Sequence, residues 1–199
     1  MEAEKNEILD LIIYLIKGIK NGNSIECDGL KLWNSKYLLN QVIRQYIQPN
    51  KYFYVSEKAS ALWNKITTKK IMDFFYHDKV ELDLADGSIA LKCYTGNSNS
   101  YTEWTPKKGD KLTYRDVFHD EHIVPIKVII NELINLEVLD YKNVKNVLGK
   151  IRICKMLKEE DKMIGNKSNR SLDYIEAFKE NYAPAGIVCT NVETGEVLK

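Results

Sequence analysis

The chain has 199 residues, 44% of them hydrophobic, and its 29 basic side chains nearly balance 28 acidic ones. That length fits one domain or a domain with a small appendage, and its apolar content can build a core without covalent staples. A charge near zero argues against a protein that coats nucleic acid by bulk electrostatics, although an enzyme needs only a local basic track.

The four cysteines, Cys27, Cys93, Cys154 and Cys189, contain no CxxC pair. They suggest neither a zinc ribbon nor a disulfide framework and fit a reducing, cytoplasmic setting. The apolar run Ile8 to Ile19 is interrupted by Asp10 and Lys17. It is too short to span a bilayer, and with no basic leader or small-residue cleavage site beside it neither membrane insertion nor secretion is expected.

In chain order, Ile8, Leu11, Ile12, Leu15, Ile16 and Ile19 fall at helical spacing, with Asn21-Gly22 as a stop. Ser35 to Gln48 reads as a second helix ended by Pro49. Tyr52 to Val55 reads as a short strand, followed by Ser56 as the cap of a helix carrying Ala59, Leu62, Trp63 and Ile66. Val80 to Leu84 and Ile89 to Cys93 alternate with period two about Asp86-Gly87, which predicts a tight hairpin.

The polar stretch Thr95 to Asp110 reads as an exposed loop, and the domain boundary is expected within it, giving regions 1–105 and 106–199. Beyond it come a helix over 126–139, a short element at 143–148, a strand over 151–157, a helical turn at 158–164 and a helix near 172–182. The tail predicts a hairpin about Thr194-Gly195. The fold class is therefore α+β.

Two of the three histidines lie in one quartet, His119-Asp120-Glu121-His122. Imidazole can take a proton near neutral pH or bind a metal, and carboxylates suit hard divalent ions. A solvated turn or strand end would carry the same residues without chemistry.

The wider string Glu121-His122-Ile123-Val124-Pro125 resembles the HNH, or ββα-metal, endonuclease family, close to the Asp-His-Ile-Val-Pro form of the HNH domains of CRISPR effector nucleases. The second half of that motif, a strand and a short helix bearing a ligand, corresponds to Ile151 to Asp161. The resemblance covers about Tyr114 to Gly165. It implies an HNH-like unit with additional helices there, and the helical and hairpin region read before it would serve target recognition.

On that basis Glu121 and Asp161 are the metal ligands for Mg²⁺ or Mn²⁺, with Zn²⁺ as a further candidate, and His122 is the base that activates water against a phosphodiester. The family often uses a central Asn to hold the base. Asn131, Asn135, Asn143 and Asn146 are available, and Asn146 is preferred as lying closest to the second strand. The CxxC pairs that brace many members are absent, and a long apolar helix separates the motif halves.

Several alternatives stay open. Asp120 could replace Glu121 as ligand if the strand register shifts by one. His119 reads as a supporting or substrate-contacting group. Arg115 is a candidate phosphate contact, as are Lys155, Lys158, Lys162, Lys167 and Arg170, which would otherwise be a solvated face. Tyr101 and Trp104 could stack on bases or anchor their loop, and His77 reads as structural. The expected partner is nucleic acid, double-stranded DNA foremost, with no membrane and with a homodimer among the expectations. The competing class is a non-catalytic inhibitor or adaptor, and a third is a hydrolase of small phosphorylated substrates.

Overall fold

The structure, a computed structural model, describes residues 2–22, 24–27, 30–33, 35–46, 52–84, 89–94, 100–165 and 169–199. Along the first half of the chain run α1 (Glu2–Lys20), β1 (Ser24–Cys27), β2 (Leu30–Trp33), α2 (Ser35–Tyr46), β3 (Phe53–Ser56), α3 (Glu57–Ile66), β4 (Lys79–Glu81) and β5 (Leu91–Tyr94). These are followed by β6 (Tyr101–Trp104), β7 (Lys111–Thr113), α4 (Tyr114–Val117), β8 (Phe118–His122), α5 (Ile126–Asn135) and α6 (Tyr141–Leu148). The remainder is β9 (Ile153–Leu157), α7 (Lys158–Met163), α8 (Tyr174–Asn181), β10 (Cys189–Asn191) and β11 (Val197–Leu198). The protein is thus α+β, and none of its described helices is long and apolar enough to cross a membrane.

Two compact units are assembled from interleaved stretches, where composition had suggested a division near 105. The first comprises 1–52, 122–152 and 166–177. Its helices α1, α2, α5 and α6 pack on one another. The apolar stripe of α1, with Leu9, Ile12, Leu15 and Ile16 buried, meets Leu39 and Ile43 of α2 and Ile126, Ile129 and Leu133 of α5 as an amphipathic pattern requires. The antiparallel pair β1–β2, which no sequence signal announced, also belongs to this unit. Helix α5 stops at Asn135, short of the expected 139, because Asp140 starts α6 by accepting a hydrogen bond from the Asn143 amide at 2.8 Å.

The second unit comprises 53–121, 153–165 and 178–199. Its main sheet has the order β11-β10-β3-β9-β8, with β3 and β9 parallel and β10 antiparallel to both β3 and β11. The tail hairpin forms as expected, Gly195 taking a positive φ of 73° in its turn. A core of Val55, Ala59, Trp63, Ile66, Leu91 and Phe118 lies against one face of this sheet. Trp63 sits at its centre, its ring 5.2 Å from those of both Phe74 and Phe118.

The expected hairpin between 80–84 and 89–93 does not form. Strand β4 pairs with β7, and β5 pairs with β6, which lies inside the stretch read as a loop. Alternation identifies a strand and its buried face but not its partner. Residues 85–88, with the Asp86-Gly87 turn, lie outside the described residues.

Candidate metal centre

Strand β9 runs directly into α7, and the junction is pinned from within the second unit. The Glu160 carboxylate accepts from the Ser56 hydroxyl at 2.6 Å and from the Leu157 amide at 3.0 Å. Ser56 meanwhile caps α3, its Oγ accepting from the Ala59 amide at 3.1 Å, as its position before an apolar helix predicted. One buried hydroxyl therefore ties the starts of α3 and α7 together, and Asp161 follows Glu160 on this fixed turn.

Strand β8 is held by its other face. Phe118 is fully buried in the core, and Asp120 accepts from the Tyr114 hydroxyl at 2.7 Å and from the Lys155 ammonium at 3.1 Å and 3.3 Å. Lys155 also donates to the Phe74 carbonyl at 2.8 Å and lies 4.7 Å from the ring centre of Phe75. Burial pushes its pKa down, and the charge of Asp120 opposes that shift. With 118 and 120 committed to this face, period two turns His119 and Glu121 to the opposite one.

There His119 Nε2 lies 3.3 Å from Glu121 Oε2 and 3.9 Å from Asp161 Oδ1. One donor atom from each residue falls within 4.8 Å of the others. The side chains are 32%, 14% and 16% exposed for His119, Glu121 and Asp161, open enough for solvent and enclosed enough to hold a shape. Donors bound at about 2.0–2.2 Å to one ion stand roughly 3–4.4 Å apart, which fits the two measured separations. One imidazole and two carboxylates suit Mn²⁺, Zn²⁺ or Mg²⁺ better than a purely soft ion.

Burial lowers the His119 pKa, but the Glu121 hydrogen bond and the charges of Asp161, Glu121 and Asp120 outweigh it, and the net shift is upward. In the metal-free protein a proton is thus favoured where a cation would otherwise balance the carboxylates.

Of the expected ligands, Glu121 and Asp161 come together, and His119 lies with them. Its spacing of two from Glu121 was the available signal. Asp120 is occupied by Lys155 and Tyr114 on the other face. His122 ends β8 outside the group of three; its carbonyl accepts from Arg170 Nη1 at 2.9 Å.

Arg115 is half-buried beside Asp116 at 4.0 Å and stands over Tyr76. Asn146 lies on the exposed side of α6 in the first unit. Two expected phosphate contacts are corrected. Lys155 is wholly buried, and Arg170 is 4% exposed and bound to backbone carbonyls, so neither is presented to a polyanion. Lys158 is half-buried and Lys162 exposed, the latter 3.7 Å from the Tyr94 ring centre, while Lys167 lies outside the described residues. Trp104 packs on the core, whereas Tyr101 and His77 are exposed.

No family model, no curated protein and no solved structure matches this chain.

Proposed function

We propose that this chain is a divalent-metal-dependent endonuclease of HNH type, cutting phosphodiester bonds in nucleic acid, DNA ahead of RNA, in the cytoplasm. The observation that supports the reading best is the convergence of His119 and Glu121 from β8 with Asp161 from α7. The donors come from β8 and from the helix that follows its sheet neighbour β9. A bound Mg²⁺ or Mn²⁺ would supply electrostatic stabilisation of the charge that builds on the phosphate and leaving oxygen.

The protein's own part is to present three donors on two rigid elements and to provide a base. On the strength of the motif alone that role goes to His122, the last residue of β8. Alternation places it on the face of Asp120, so it accepts a proton from the attacking water only where the chain turns out of the strand toward the donors. Arg115 remains the proposed phosphate contact. A role in restriction or defence against foreign DNA follows from the same resemblance alone.

Incubation of plasmid DNA with the protein and Mg²⁺ or Mn²⁺, with and without chelator, tests this. Metal-dependent nicking that disappears in His122→Ala, with thermal unfolding unchanged, is the expected result. Full cleavage by that variant would remove His122 as the base, and no cleavage by the wild-type protein with either metal would remove the nuclease reading and favour a non-catalytic binding protein.

A further inference from the structure

A second feature of the same unit lies apart from the metal-ligand group. Between α3, β5 and the start of α7 is a cavity of about 380 Å³, within the range of small-ligand sites. Its floor is apolar, made by buried Leu91, Val117 and Leu157 with half-buried Leu62. Its rim is basic, carrying Lys58, Lys65 and Lys92 against one carboxylate, Glu159.

Lys92 is matched by Glu159 at 3.6 Å. No carboxylate among the described residues pairs with Lys58 or Lys65. Residues 58, 61, 62 and 65 share one face of α3, so the two unmatched lysines stand about 10 Å apart along the helix with Ala61 and Leu62 between them. On α7 the positive charge continues with Lys162, beside the lining residue Tyr94.

An apolar floor between two uncompensated cations selects an anion with a flat apolar body. A nucleotide has both parts, but a duplex hides its base faces and offers only sugar, phosphate and base edges; an unpaired strand exposes a face to each neighbour. We infer that this groove binds an unpaired nucleic-acid strand, one base against the accessible apolar lining of Ala61, Leu62 and Ala90 and the flanking phosphates on Lys58 and Lys65. The choice of polymer rests on the nuclease reading, yet the site is separate from His119, Glu121 and Asp161 and is tested without cleavage.

The experiment measures anisotropy of a labelled short single strand, and of the same sequence as a blunt duplex, in chelator at several salt concentrations. Wild type should bind the single strand more tightly. Lys58→Glu/Lys65→Glu should weaken that binding at least about tenfold and lower the slope of log affinity against log salt by about 1.4, two phosphates at roughly 0.7 each.

Ala61→Trp, at an exposed helix position, should weaken binding by crowding the floor while leaving the salt slope unchanged. Unchanged single-strand affinity in the double variant, tighter wild-type binding to the duplex, or no single-strand binding would each overturn the inference. Groove-dependent binding without metal-dependent cleavage would leave it standing and remove only the nuclease reading.

Discussion

The Lys155 ammonium, 0% exposed, lies 3.1 Å from the Asp120 carboxylate, and this pair fixes which face of β8 looks into the protein. With Asp120 drawn inward by Lys155 and Tyr114, its neighbours His119 and Glu121 have only the other face to occupy. The candidate site is therefore set by an ion pair that takes no part in it.

Lys155→Ala should cost about 3 kcal/mol, the lower end of the range for breaking a buried pair because Asp120 retains 23% exposure. Lys155→Met combined with Asp120→Asn should recover most of it. Urea denaturation of the three proteins checks this, and equal midpoints for Lys155→Ala and wild type would show that the pair is not a constraint on the sheet.

Ser56 joins two elements with one hydroxyl, so Ser56→Ala removes both the cap of α3 and a partner of buried Glu160. A loss of about 1–3 kcal/mol is expected, together with weaker metal binding as the turn carrying Asp161 loosens. Denaturation and titration with Mn²⁺ read the two effects separately.

His119 makes the metal-free protein pH-dependent in a definite direction. Its folded pKa lies above the ordinary 6.5, so the native state binds the proton more tightly than the unfolded chain. The resulting stabilisation is complete below about 6.5 and is lost as pH rises through the folded value. In chelator, the stability difference between wild type and His119→Asn should therefore shrink as pH rises across that window, and an NMR titration of the imidazole should give a midpoint above 6.5.

Much of this architecture was legible in the residues. Periodicity marked α1, α2 and α5, Ser56 announced its cap, and the strand and turn after Ile151 brought Asp161 into view. Partnership was less visible. The runs at 80–84 and 89–93 alternate as strands should, but alternation leaves open which strand lies beside them, and each pairs elsewhere.

Lys155 shows the deeper limit. In the sequence it is one lysine among several, and only the arrival of Asp120, Phe75 and Tyr114 from distant positions turns it into a buried structural cation. His119 was within reach, because two residues along a strand share a face, whereas the motif drew attention to the adjacent pair Glu121-His122.

Calorimetric titration of the chelator-stripped protein with Mn²⁺ tests most directly whether His119, Glu121 and Asp161 together hold one divalent ion. Wild type should bind one equivalent, with affinity falling about tenfold or more in each of His119→Ala, Glu121→Gln and Asp161→Asn, while His122→Ala still binds. Absence of a binding isotherm in the wild-type protein, or affinity in the three ligand variants equal to that of wild type, would contradict a shared site.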